Sequence, residues 1–82
     1  MTTLEKVCEI ILKIKKKTLS ADDLKPEASL VGDLGMDSLD LTEMLVMAEE
    51  AFSIKISLDD TNNLTTVSET VKYLDKRIAE RG

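Results

Sequence analysis

Ser38 follows Gly35-Met36-Asp37 and opens a stretch in which Leu41, Leu45, Ala48 and Phe52 recur at helical spacing. A serine there stands beside free backbone N–H groups at the positive end of a helix dipole. That is a favourable setting for a phosphate esterified to its hydroxyl. An Asp-Ser pair is equally an ordinary polar helix start, with Asp37 as N-cap and Asp40 three residues on. The other chemistry-bearing residues do not assemble a catalytic set. With no histidine, a Ser-His-Asp triad lacks its base and a Cys/His zinc site is excluded. The single Cys8 forms no internal disulfide. An EF-hand frame counted from Asp33 puts Met44 where a bidentate Glu is required, and one counted from Asp59 puts Thr70 there. Glu49 and Glu50 are neighbours, so on a helix they point apart, and solvation is their simplest role.

Eleven Lys+Arg against sixteen Asp+Glu give a net charge of −5, the wrong sign for nucleic acid. Phe52 and Tyr73 are too few for a base-stacking platform. The acidity is concentrated: residues 27–60 hold nine acidic residues against Lys55 alone, a balance of −8. On a generic domain this is a solvated helix face; its sharper meaning is a surface that steers basic partners. Opposed to it stands a cluster of Lys13, Lys15, Lys16 and Lys17, expected at the far end of the first helix and away from that surface.

The elements that must position Ser38 are helical. Thr2 with Glu5 forms a capping box ahead of Leu4, Val7, Ile11 and Ile14, which predicts a first helix from about Thr3 to Lys17. Pro26, Gly32 and Gly35 punctuate residues 18–37, a long first loop of the kind that carries function. The second helix is expected from Ser38 to Phe52. A short third helix follows from Ser57 to about Leu64. The fourth begins behind the Thr66–Glu69 capping box and runs along Val67, Val71, Leu74 and Ile78 almost to Gly82. Ile54-Lys55-Ile56 alternates like a strand without a partner strand. The expectation is one all-α domain over residues 1–82: a small four-helix bundle of three longer helices and one short helix. Scaling gives roughly 4,900 Å² of folded surface against about 13,000 Å² unfolded, enough for one thin core and no deep cleft. The N-terminus lacks the apolar run of a signal peptide, no segment is long enough to span a bilayer, and the cysteine usage is of the reduced type, so a cytoplasmic setting is expected; a monomer is the expected state.

Asp33-Leu34-Gly35-Met36-Asp37-Ser38-Leu39-Asp40 resembles the D-L-G-x-D-S-L-D signature of acyl carrier proteins. Ser29-Leu30, Glu43, Glu49-Glu50-Ala51-Phe52 and Leu64-Thr65-Thr66-Val67 are similar to further landmarks of that family, so the resemblance runs along essentially the whole chain. It implies that Ser38 carries a 4′-phosphopantetheine arm, taken from coenzyme A by a magnesium-dependent phosphopantetheinyl transferase. The arm's thiol would then hold acyl groups as thioesters in fatty acid, polyketide or related lipid synthesis. The chain would be a carrier and not an enzyme. By position, Asp37, Asp40, Glu43, Glu49 and Glu50 would be acidic contacts for the transferase and for acyl-loading, synthase and acyltransferase enzymes with basic docking patches. Leu39, Thr42 and Val46 would be the less polar contacts of the same face. The chain departs from the family at Thr42, usually aliphatic, at Lys55 and Asn62, commonly acidic, and at Leu58, where an acid is usual. Flexible Met44 and Met47 with small Ala48 and Ala51 suggest a core that parts to shelter an acyl chain. The rival reading is an acidic helical adaptor that binds proteins without a prosthetic group. A carboxylate hydrolase is a weaker third.

Overall fold

Each long helix starts where a short polar side chain precedes the apolar stripe, and the caps form as the sequence expects. The structure is a computed structural model that describes residues 2–57, 59 and 64–81. Among these residues the chain folds into α1 (Thr3–Ile14), α2 (Ser38–Phe52) and α3 (Val67–Arg81), with a 3₁₀ turn at Ala21–Asp23. At α1 the Glu5 amide donates to Thr2 Oγ1 (3.1 Å) and the Thr2 amide donates back to Glu5 Oε1 (3.0 Å). The bond from the Thr2 amide holds the Glu5 carboxyl below its ordinary value. This stabilisation is therefore present above the ordinary carboxylate pKa and lost as pH falls through the lowered one. At α3 the Glu69 amide donates to Thr66 Oγ1 (3.1 Å). At the 3₁₀ turn Asp23 reaches back in the same way: its carboxylate accepts from the Ser20 amide at 2.9 Å and from the Ser20 hydroxyl at 3.3 Å.

The end of α1 differs from the expectation. The helix stops at Ile14 and not at Lys17. Lys15 takes φ −116°, ψ 29°, its amide closing the last helical bond to Ile11 (2.9 Å), and its carbonyl accepts from the amides of Thr18 and Leu19, both at 3.0 Å. Lysines suit the negative end of a helix dipole, but Lys15, Lys16 and Lys17 offer the core nothing. By turning there the chain brings Leu19 back against the core. Packing outweighs the local preference.

α1 packs on both α2 and α3. Val7, Ile10 and Ile11 meet Met44, Leu45 and Ala48 of α2 and Val67 and Leu74 of α3 in one core. Thr70, also fully buried, satisfies its hydroxyl on the Thr66 carbonyl at 3.0 Å. Leu4, expected in the stripe, is 37% exposed, and Ile10 takes its place. The first loop contributes to the same core through Leu24, Ala28, Leu30, Leu34 and Met36. Its backbone is also sewn to the start of α3. The Val67 and Ser68 amides donate to the carbonyls of Ala28 (3.1 Å) and Pro26 (2.8 Å), and the Leu30 amide donates to the Thr65 carbonyl (3.0 Å). The loop thus occupies donors that a helix N-terminus would leave unpaired. An isolated antiparallel bridge, Ser29 with Thr66, marks this seam.

Beyond α2 the left-handed Ser53 (φ 55°) turns the chain. Ile54 is buried, Lys55 exposed and Ile56 half-buried, the alternation the sequence suggests. Side chains supply its partners: Glu49 Oε2 accepts from the Ile56 amide (2.8 Å), and the Arg77 guanidinium donates twice to the Lys55 carbonyl (3.2 and 2.8 Å). The short helix expected over Ser57–Leu64 falls on Leu58 and residues 60–63, which lie outside the described residues.

Candidate functional site

Ser38 is the first residue of α2, exposed at the end of the packed loop. Its neighbours in sequence hold it from both sides. Asp37, in extended backbone, accepts the Asp40 amide on Oδ1 (2.8 Å), and Asp40 Oδ2 accepts the Asp37 amide (3.3 Å). The Ser38 carbonyl accepts both from the helix and from the Thr42 hydroxyl, the latter at 2.9 Å. The capping box satisfies the third amide of the helix. The amides of Ser38 and Leu39 have no acceptor among the described residues. An exposed serine and two N–H groups without acceptors therefore share the positive end of a fifteen-residue helix. This arrangement attracts an anion.

The backbone reaches that position through Gly35, at φ +67°. A Cβ built there would meet nothing within 4 Å, so the requirement is conformational and not steric. The left-handed region costs an L-residue about 1–2 kcal/mol. Gly35→Ala should lower unfolding stability by about that amount in denaturant titration. A loss below ~0.3 kcal/mol would show that the turn is not held in this conformation.

The structure divides the eight expected partner contacts. Leu39 (72% exposed), Glu43, Val46 (42% exposed) and Glu50 follow one another at four-, three- and four-residue steps, a single stripe opposite buried Met44, Leu45 and Ala48. Apolar and acidic side chains alternate along it. Asp37 is exposed at its head. The other three are engaged within the molecule: Thr42 on the Ser38 carbonyl, Glu49 on the Ile56 amide, and Asp40 in the capping box and with Lys15 Nζ (3.4 Å). That last contact corrects the expectation that the lysine cluster lies far from this face. The end of α1 stands beside the start of α2, so Lys15 reaches the site. Sequence reasoning missed it because no local pattern pairs residues 25 positions apart.

Of the four residues expected to make the core pliant, Met44 and Ala48 are buried and Met47 is half-buried. Ala51 is exposed and lines a surface groove with Met47, Glu50, Lys6, Ile10 and Lys13. Cys8 is partly buried, and desolvation pushes its thiol pKa up. That disfavours the nucleophilic thiolate. Among the described residues, no cluster of His, Cys, Asp and Glu could hold a metal ion, and no helix is long and apolar enough to cross a membrane.

Residues 5–74 match the model of the phosphopantetheine attachment site family. The acyl carrier protein of Nitratidesulfovibrio vulgaris (strain Miyazaki F) is 42% identical over 77 residues, covering 94% of this chain and 99% of its own length. That of Syntrophus aciditrophicus is 39% identical over 77 residues, 94% of each chain. That of Chlamydia trachomatis serovar D is 44% identical over 59 residues, 72% of this chain and 77% of its own. The chain belongs to the acyl carrier protein family. Its cofactor is 4′-phosphopantetheine, and its work is carriage and not catalysis.

Proposed function

We propose that Ser38 is the residue to which the arm is joined, and that the chain presents acyl thioesters to enzymes docking along Leu39, Glu43, Val46 and Glu50. The observation that carries this reading is an exposed Ser38 at the start of α2, where its own amide and that of Leu39 have no acceptor among the described residues. A phosphodiester there keeps one negative charge, which those amides and the helix dipole favour. In attachment the Ser38 oxygen would bond to the phosphorus that bears the pantetheine group in coenzyme A. The adenosine bisphosphate portion leaves, and the hydroxyl proton passes to a base of the transferase. A raised Cys8 pKa leaves the arm's thiol as the better nucleophile of the loaded protein. The expected setting is cytoplasmic fatty acid, polyketide or related lipid synthesis, with the acidic stripe recognising basic patches on a phosphopantetheinyl transferase and on acyl-transferring enzymes.

Intact-protein mass spectrometry after incubation with coenzyme A, magnesium and a broad-specificity phosphopantetheinyl transferase tests it. One arm per chain is expected, mapping by fragmentation to Ser38. An unmodified chain would favour the adaptor reading, and an arm on any other residue would move the site.

A further inference from the structure

We propose that Lys15 is a positioning residue for arm attachment: from the end of α1 its ammonium clamps the Asp37–Asp40 cap and so fixes Ser38 between them. The proposal rests on the reading of Ser38 given above. Lys15 Nζ lies 3.4 Å from Asp40 Oδ2, and the two side chains are only 22% and 19% exposed. That same carboxylate oxygen accepts the Asp37 amide, so one atom closes the cap from both directions. The remaining ion pairs of the described residues, Lys6–Glu9, Lys13–Glu9 and Arg77–Glu80, lie within a single helix, three or four residues apart. Lys15–Asp40 alone among them joins two elements.

Its charge is otherwise misplaced. Neutralising Asp40 removes one unit of attraction from a face whose acidity draws basic partners, so what the lysine supplies is order at the cap. The turn at residues 15–19 makes this reach available: by leaving the helix at Lys15, the backbone brings the side chain over the start of α2. Lys16 and Lys17 are exposed and have no ion-pair partner among the described residues, so the clamp belongs to one member of the cluster.

The test uses the full-length chain and five variants: Lys15→Met, Lys15→Arg, Lys16→Met, Asp40→Asn and Lys15→Met/Asp40→Asn. Amide hydrogen exchange at Asp37 and Asp40 reads the cap directly. Lys15→Met should quicken it by about threefold, as expected for a partly buried pair, with Leu45 in the core of α2 unaffected. Lys15→Arg should restore it. In arm attachment from coenzyme A, Lys15→Met should lower kcat by about threefold without raising KM, because the docking face has become more acidic. Lys16→Met removes the same charge and should leave kcat alone. On the Asp40→Asn background, Lys15→Met should add nothing. Unchanged exchange at Asp37 and Asp40, an equal kcat loss in Lys16→Met, or a loss that persists without the Asp40 carboxylate would each overturn the clamp. A wild-type chain that takes up no arm would overturn the reading of Ser38 instead, and the exchange result would decide the clamp by itself.

Discussion

Ser38→Ala should take up no mass from coenzyme A while folding and melting like the wild type. The substitution removes one oxygen from an exposed first helical position, and the Ser38 hydroxyl has no partner among the described residues. Alanine is the best helix former, and the capping box on either side uses Asp37 and Asp40. The expected result is therefore complete loss of the adduct with circular dichroism unchanged and stability within about 0.5 kcal/mol. Other hydroxyls are poor substitutes. Ser29 Oγ accepts the Gly32 amide at 3.0 Å, and Thr42 is turned back onto the Ser38 carbonyl. Persistence of the adduct on the alanine variant would sink the assignment.

Reversing two charges on the stripe should cost attachment rate, chiefly through encounter. Glu43 and Glu50 are exposed on the same face as Leu39 and Val46, on a helix whose first turn is also acidic. Glu43→Lys/Glu50→Lys replaces a field that attracts Arg and Lys with one that repels them, a change on the order of tenfold in association rate at low salt. Exposed charges are screened beyond ~8 Å at physiological ionic strength, so the gap between variant and wild type should narrow as salt is added. Glu43→Lys alone should show a smaller form of the same effect. Glu49→Met is the contrasting case: it removes the acceptor of the Ile56 amide, so its loss should appear in thermal stability before it appears in rate. The comparison is a stopped-flow or discontinuous mass assay across a salt series. A double reversal as fast as wild type at low salt would place docking on another surface.

The starts of the helices were legible because they are local chemistry. Thr2 with Glu5, Asp37 with Asp40 and Thr66 with Glu69 each announce an N-terminus within four residues, and all three form. Ser20 with Asp23 carries the same signal and was overlooked, hidden in a segment read only as loop. The serine and its setting were readable for the same reason, since motif, cap and dipole are all short-range. What escaped depends on tertiary approach. The stop of α1 at Ile14 is decided by where Leu19 can pack. The ties of Glu49 to Ile56, Arg77 to Lys55 and Lys15 to Asp40 span 7, 22 and 25 residues. A list of acidic residues at helical spacing treats Asp40, Glu49, Glu43 and Glu50 alike. Only the fold separates the two that are occupied from the two that are left exposed.

The seam between the first loop and α3 sets an order of events during synthesis. Pro26, Ala28 and Leu30 are held by Thr65, Val67 and Ser68, almost forty residues further along the chain. Until those later residues have left the ribosome, the loop that leads through Gly35 into Asp37 lacks this seam. The nascent chain thus displays the serine's sequence well before it displays the serine's geometry. An enzyme that recognises the shaped site would act once the start of α3 is in place.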